Sequence, residues 1–597
     1  MVYEEYGKNI AIMRYDDPNN WVKLLEDTVK KFPDRPYIGQ KDEKGVFQWI
    51  TYKIFSKRVD NLRAALEKIG IIKGDSVGII ANNRMEWILG AMATFGLIAK
   101  WVPMYEKELI DTWKYIIKDS QIKVLFVANN EIYEKMKHFA DEIPTLEKIY
   151  IIESEADNSL ATLEKMGEQH PIPPKEPLFS DIACIIYTSG TTGDPKGVIL
   201  SHGNVTNNMM AGRNIYPELN EKCVALSILP WAHSYAQTAE LCLFTYLGAS
   251  IGITDVEHMS EDLSKVNPTH LISVPRLFNK IYDGIHRLMD EEGGIKKKLF
   301  YMAKEAAKKK RETGKAGLKF KLLDKVVFGK VRARFGTRLV CSLTASAKTE
   351  LEIANFFYDI GVPIYDCYGL SETSPALCMN CPSFHKLGSV GKPIEKVKLE
   401  ITKEGEIIAF APFVMQGYLN KPEKTAAIMV EDENGIKGVK TGDIGHFDEE
   451  GYVFITGRIK NEYKLLNGKY VHPAAIEEYI KLIPWVANCM VYGDGKEYNV
   501  ALIVPDMEKA KLYAEAVNLS LPPEKVIQIP EVQILIGKEI KAHLKGKFGG
   551  YEIPMKFYFT TEDMTLENSM LTQTFKLKRR NVLKKYGEHL ENLYKKS

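Results

Sequence analysis

An α/β fold is predicted: a large N-terminal domain of stacked α/β sheets with a small β subdomain, then a smaller α+β C-terminal domain. Three observations predict it. The chain has 597 residues, too many for one core. Short β-rich runs alternate with amphipathic stretches, the pattern of mostly parallel sheets layered with helices. After Asp366 that alternation gives way to closely spaced strands and turns.

The elements follow in order. Lys53 to Ile69 has the apolar spacing of an amphipathic helix. Ser76 to Ile80, Val124 to Val127, Lys148 to Ile152, Ile182 to Ile186, Val224 to Leu229 and His270 to Val274 are short apolar runs, read as buried strands. Lys398 to Ile401, Glu406 to Phe410 and Tyr452 to Thr456 form the β subdomain. Past Arg458, helix and strand signals mix again over about 140 residues, a normal domain size.

Composition excludes several classes. Apolar residues make up 45% and the net charge is +2, which argues against a nucleic-acid partner. The start, MVYEEYGKN, lacks a basic region followed by an apolar stretch, so no secretory signal is expected. The longest apolar run, Trp87 to Ala99, is too short to span a bilayer. Cys378 and Cys381 form a C-x-x-C without a second pair, so buried thiols are expected rather than a zinc site. The compartment is expected to be reducing, hence cytoplasmic. One stretch stands apart: Lys296 to Arg338 carries 16 Lys or Arg against Glu305, Glu312 and Asp324, with leucines and phenylalanines between them. A solvated helical face is the favoured reading, and peripheral contact with an anionic membrane surface is the alternative.

The segment Tyr187 to Gly197, YTSGTTGDPKG, follows a buried strand with hydroxyls, glycines and a lysine. Glycines free backbone N–H groups to point inward, hydroxyls add donors, and the lysine adds charge, all of which suit phosphate. It is not a P-loop: Pro195 stands where the second glycine belongs, and Gly197 follows Lys196. Further along come Tyr368-Gly369-Leu370-Ser371-Glu372-Thr373, then Thr441-Gly442-Asp443, Gly457-Arg458, and Leu571 to Lys576.

In order and spacing these segments resemble the adenylate-forming superfamily of acyl-CoA synthetases, peptide-synthetase adenylation domains and firefly luciferase. The resemblance runs from about residue 20 to about residue 590. The basic insertion, the GRIK segment and the LTQTFKLKRR ending are most similar to the long-chain fatty acyl-CoA synthetase branch. It implies a ligase that joins a medium- or long-chain acid to AMP, releases pyrophosphate, and passes the acyl group to CoA. ATP, Mg²⁺ and CoA are implied. Thr188, Ser189, Gly190, Thr191, Thr192, Gly193 and Lys196 would hold the β- and γ-phosphates. Glu372 would bind Mg²⁺, and Thr373 would lie near the α-phosphate. Tyr368, with Gly369, would stack on adenine, Asp366 would meet the adenine edge, Asp443 would accept the ribose hydroxyls, and Arg458 would contact ribose or phosphate. Lys576 would be the catalytic lysine and Lys460 the hinge, dividing the chain into 1–459 and a mobile 460–597. Gly468, Lys469 and Tyr470 would border the CoA channel, and His233 the acyl pocket.

The chain departs from the family at three places. Ser342 to Ser346, with Leu343, Thr344 and Ala345, replaces small residues that back the adenine and the acyl group. Leu343 is expected to narrow the acyl pocket and Thr344 to crowd the nucleotide. Ala236 stands in place of a glycine, and Lys437-Gly438 in place of a Gly-aromatic pair. The rival readings are a ligase that loads a carrier protein, a CoA ligase for an aromatic or branched acid, and a non-catalytic lipid- or nucleotide-binding descendant. The oligomeric state is not encoded in any motif.

Overall fold

The computed structural model describes residues 18–188, 194–459, 462–572 and 576–595. Two large sheets carry the N-terminal part. The first has nine strands. Its central six, Pro36–Lys41, Ser250–Ile253, Val224–Ser227, His270–Ser273, Cys341–Thr344 and Ile364–Gly369, run parallel, with antiparallel strands at both edges. The second has seven. Ile182–Thr188, Lys100–Met104, Ser76–Ile80, Ile122–Val127 and Lys148–Ile151 are parallel, and Lys196–Ser201 returns antiparallel beside Ile182–Thr188. Parallel strands are covered on both faces, so they read as unbroken apolar runs, and Ser76–Ile80 is buried at every residue.

Helices pack between and around the sheets. Tyr52–Lys68 is capped by Thr51, whose hydroxyl accepts from the Ile54 N–H. The apolar run at Trp87 becomes the helix Met85–Phe95, buried from Trp87 onward. Among the described residues, no helix is long and apolar enough to cross a membrane. The antiparallel sheet predicted after Asp366 has five strands: Lys398–Ile401, Glu406–Phe410, Met429–Glu431, Lys437–Phe447 and Val453–Arg458. From Tyr463 onward a two-stranded hairpin and the sheet Val486–Tyr492, Val500–Pro505, Lys556–Phe559 are packed with helices around their own apolar clusters.

The sequence reading passed over several strands. Pro36–Lys41 and Phe47–Thr51 form a hairpin whose turn, Asp42 to Gly45, is charged rather than glycine-rich. Lys100–Met104 contains Pro103, a residue that argues against a central strand, yet it lies between two strands of the seven-stranded sheet.

Candidate active site

The site begins where Ile182–Thr188 ends. Thr188 pairs in register with Lys196 and Tyr187 with Gly197, so an antiparallel return closes the phosphate-loop motif at its base. Ser189, Gly190, Thr191, Thr192 and Gly193 lie outside the described residues. The Lys196 ammonium donates to the Tyr418 hydroxyl at 2.9 Å and lies 4.2 Å from that ring's centre. Tyr418 in turn donates to Glu372 Oε1 at 2.6 Å. Tyr418 was missed by the sequence reading. It reaches the site only because Gly417–Tyr418 pairs with Val198 and Ile199 as an edge strand, a contact that no local motif announces.

A second polar group forms on the β subdomain. Asp443 and Arg458 face each other in register on neighbouring antiparallel strands, and the Arg458 Nε–H donates to Asp443 Oδ1 at 2.6 Å. The Tyr368 hydroxyl donates to the other oxygen, Oδ2, at 2.8 Å. Burial acts against the Arg458 charge, but Asp443 outweighs it and keeps the guanidinium firmly protonated. Gly369, next to Tyr368, passes so close to Pro375 that a Cβ there would fall 1.8 Å from the Pro375 carbonyl oxygen, so only glycine fits.

Lys196, Tyr418, Glu372, Tyr368, Gly369 and Arg458 line one cavity of about 570 Å³, together with His233, Leu343, Ala345, Lys576 and Ile459, whereas Asp443, expected at the ribose, is buried and off the wall, where it holds Tyr368 and Arg458 in place. Lys576 enters it from the C-terminal part of the chain. The turn that carries it is pinned: the Thr572 N–H donates to the Lys576 carbonyl at 2.8 Å, and Lys576 N–H to Thr572 Oγ1 at 3.0 Å. Arg579 donates to Glu477 and, at 3.0 Å, to the Val491 carbonyl, which separates Lys576 from the rest of its basic run. The Lys576 side chain is exposed to the cavity yet surrounded by protein. Desolvation, and then the Arg458 charge, lower its pKa below the usual lysine range, against the pull of Asp443 and Glu372.

His233 faces the same space. Its Nδ1 accepts from the Tyr235 N–H at 3.2 Å, which leaves the ring proton on Nε2 as a donor. Burial, and then Lys576, push its pKa down to about 4, so it is neutral at physiological pH. A hydroxyl contact of 2.9 Å between Ser234 and Ser371 ties this segment to the Glu372 turn.

Three expectations are corrected. Thr344 does not crowd the cavity. Successive strand residues point to opposite faces, and Leu343 and Ala345 take the cavity side. Thr344 faces the other way and donates to Asp366, its in-register partner. Asp366 therefore does not reach the cavity wall. It is buried, and its carboxylate accepts from the Thr344 hydroxyl and from the Thr349 hydroxyl and N–H, so it shapes the loop that carries Ala345 and Ser346. Thr373 is likewise absent from the wall. Its hydroxyl is fully buried and donates to the Pro375 carbonyl at 2.6 Å, which braces the Glu372 turn from within.

Gly468, Lys469 and Tyr470 are not brought to the cavity. They lie on the exposed hairpin Tyr463–Lys464, Tyr470–Val471, where the Lys469 ammonium rests 4.4 Å from the Tyr551 ring centre. Lys460 lies outside the described residues. Ala236 is buried and off the cavity wall, and Lys437 begins the long strand of the β subdomain with an exposed side chain. All eight cysteines are buried thiols, Cys378 and Cys381 included.

The sequence that builds this cavity matches a known family. Residues 25–419 match the AMP-binding enzyme family, and residues 461–528 match the AMP-binding enzyme C-terminal domain. The chain belongs to the AMP-binding enzyme family. Among curated relatives, fatty acyl-CoA synthetase A of Dictyostelium discoideum is 29% identical over 95% of this chain and 89% of its own length. Long chain acyl-CoA synthetase 8 of Arabidopsis thaliana is 28% identical over 95% and 86%. The long-chain-fatty-acid–CoA ligase FadD15 of Mycobacterium tuberculosis is 28% identical over 94% of each chain. Among solved structures, the adenylation domain of a carboxylate reductase from Mycobacterium chelonae superposes with a TM-score of 0.78 at 22% identity, covering 97% of this chain and 92% of its own. The anthranilate CoA ligase AuaEII in complex with anthranoyl-AMP gives 0.72 at 20%, covering 96% and 98%. This AMP-binding enzyme therefore has the fold of adenylate-forming enzymes, a large N-terminal domain followed by a small C-terminal one.

Proposed function

We propose that this protein is an ATP-dependent, AMP-forming acyl-CoA synthetase for medium- or long-chain fatty acids. The observation that carries the reading is the junction of three groups on one cavity: Lys196–Tyr418–Glu372, Tyr368 and Arg458 held by the buried Asp443, and Lys576 with His233. Relatives with acyl-CoA synthetase names match over nearly the whole chain.

In the first half-reaction a carboxylate oxygen of the acid attacks the α-phosphorus of ATP. A C–O–P bond forms, and pyrophosphate leaves. Two anions must approach, so a cation between them lowers the barrier. Lys576 is suited to that position, and its proton is held more loosely than an ordinary lysine's. His233 offers a neutral Nε2–H to the acid's carboxyl or to the acyl-adenylate carbonyl. Tyr368 packs against adenine, while Arg458, positioned by the buried Asp443, has N–H donors left for ribose or phosphate. Glu372 fits a Mg²⁺ site of the kind completed by substrate phosphates, because it presents one carboxylate to the cavity and hard oxygen donors suit that ion. When bound, the ion neutralises phosphate charge. In the second half-reaction the CoA thiol attacks the acyl carbonyl and AMP leaves.

We divide the chain for this purpose at 459/460. With residues 460–597 rotated after adenylation, Lys576 would leave the cavity and the Gly468–Tyr470 hairpin would approach it, as a two-step site requires. We also place the protein in the cytoplasm, in peripheral contact with anionic lipid through 296–338. On the helix Leu318–Leu323 the side chains of Leu318 and Leu322, one turn apart, are 86% and 66% exposed amid lysines. The test of the main reading is pyrophosphate release across a panel of acids, with and without CoA. Acid-dependent release followed by CoA-dependent thioester is expected. Release without thioester on CoA, but with acylation of a phosphopantetheine carrier, would replace it by the carrier-loading reading.

A further inference from the structure

We propose that Asn83, which stands off the cavity wall, is a positioning residue for the acid: it fixes the turn that aims His233. The proposal rests on the acyl-CoA synthetase reading above, with His233 as a group that meets the acid's carboxyl.

The chain reaches His233 through a proline. The strand Val224–Ser227 ends, and Ile228 and Leu229 lead to Pro230, which has no N–H to give. The His233 N–H donates to the Pro230 carbonyl at 3.0 Å and closes a turn over Trp231 and Ala232. Where His233 stands therefore depends on what holds the entry to that turn.

Asn83 holds it. A side-chain amide carries donors and an acceptor in one plane, as a peptide group does, so it can pair with backbone on both sides of a proline. Asn83 Oδ1 accepts from the Trp231 N–H at 2.8 Å. Its Nδ2 donates to the Leu229 carbonyl at 2.7 Å and to Ser227 Oγ at 3.0 Å. The amide oxygen and both amide hydrogens are thus spent on the residues that flank Pro230 and on the end of the strand before it. Their demands also fix which way the amide faces, because only its oxygen can meet an N–H and only its nitrogen a carbonyl.

Asn83 comes from the other large sheet, in the loop between Ser76–Ile80 and the helix Met85–Phe95. That helix carries Trp87, whose ring meets the Trp231 ring edge to face at 5.7 Å. The Trp231 indole N–H donates to the buried Glu240 at 2.9 Å. Past His233, the contact between Ser234 and Ser371 holds the exit of the turn. Removing the Asn83 amide loosens the entry alone: Trp231 keeps its ring contacts, and His233 loses its aim.

The test is a double-mutant cycle of Asn83→Ala with His233→Ala. It is read as kcat/KM for hexadecanoic acid and KM for ATP in acid-dependent pyrophosphate release at saturating CoA. Asn83→Ala alone should lower kcat/KM for the acid by about tenfold or more, the scale on which a misplaced group loses rate, with KM for ATP within about twofold of wild type. In the His233→Ala background the same change should cost less than about twofold, because no ring remains to be aimed. Asn83→Asp keeps the size and the Trp231 bond but sets an oxygen against the Leu229 carbonyl. It should behave as Asn83→Ala does, and it serves in the cycle where Asn83→Ala does not accumulate as folded protein. An equal loss in both backgrounds, a KM for ATP that rises with that for the acid, or a His233→Ala that leaves acid use unchanged overturns the proposal alone. If the wild type releases pyrophosphate with no acid, the acyl-CoA synthetase reading falls and the proposal with it.

Discussion

At the Lys576 end of the cavity, side chains hold one another. Lys196 reaches Glu372 through Tyr418, and both Tyr368 and Arg458 bind Asp443. Further along the wall, Tyr235, Thr238 and His270 each bury a polar atom with no hydrogen-bond partner among the described residues. The first end is organised before any ligand arrives, as charge stabilisation in a transition state demands, since donors that must reorient at the moment of reaction contribute less. The second end lacks that mutual bracing.

The largest effect should come from the first end. Lys576→Ala is expected to lower acid-dependent pyrophosphate release by about 10²–10³-fold, the usual loss of one charge-stabilising donor. Thioester formation from supplied acyl-AMP should stay within a few-fold of wild type. Equal loss in both half-reactions would remove Lys576 from the first step.

Glu372→Ala and Tyr418→Phe probe the chain that joins Lys196 to Glu372. The former should lower kcat/KM for ATP at millimolar Mg²⁺ by about 10²-fold. The latter should cost about tenfold, as expected for a hydrogen bond to a charged group worth ~1.5 kcal/mol. A silent Tyr418→Phe would mean that Lys196 and Glu372 act independently.

Leu343 and Thr344 sharpen the contrast within one strand. Leu343→Ala should shift the chain-length optimum toward longer acids, because it removes volume from the cavity wall. Thr344→Val should leave that profile alone but destabilise the fold by about 1–3 kcal/mol, because a buried Asp366 oxygen loses a donor. Melting temperature and acid profile, measured together, separate the two. A profile change in Thr344→Val would return that side chain to the cavity.

The smallest effects concern pH. The His233 pKa lies below its unfolded value, so its neutral form favours folding, and this contribution is lost as pH falls from about 6.5 through about 4. The pH profile of kcat/KM for adenylation should then have no limb near 6.5 that His233→Gln abolishes. Glu240 has the opposite sign. It is fully buried, one of its oxygens has no hydrogen-bond partner among the described residues, and burial lifts its pKa to about 7. Its protonated form favours folding, so its contribution is present at low pH and is lost as pH rises through about 7. Glu240→Gln should flatten the decline of Tm between pH 5 and 8. A decline as steep as wild type would assign that slope to other groups.

Much of this was legible in the sequence. The buried strands announced themselves as apolar runs because parallel strands are covered on both faces. The loop ends, Glu372, Asp443, Arg458 and Lys576 were legible because each sits in a short segment of distinctive residue types in a fixed order. What failed was depth. Asp366 and Thr373 belong to the same segments, yet their side chains turn inward to brace the turns that present Tyr368 and Glu372. The reading placed Leu343 and Thr344 together in the cavity, although a strand cannot aim adjacent residues at one face. Tyr418 was illegible for a different reason: it matters only through a strand neighbour distant in sequence, Val198.

The pinned turn beneath Lys576 has a consequence for inhibition. Its two ends are hydrogen-bonded to each other, and Arg579 is clamped to the buried Glu477. The lysine's reach is therefore tied to where the C-terminal unit stands. One exposed ion pair, Arg287 with Glu508 at 3.0 Å, spans the seam between that unit and the helix Pro275–Glu292. A small molecule wedged into that seam would hold the lysine away from the reacting atoms while leaving the nucleotide and acyl pockets open. Such an inhibitor would be noncompetitive with ATP and with the acid, and would arrest one half-reaction alone.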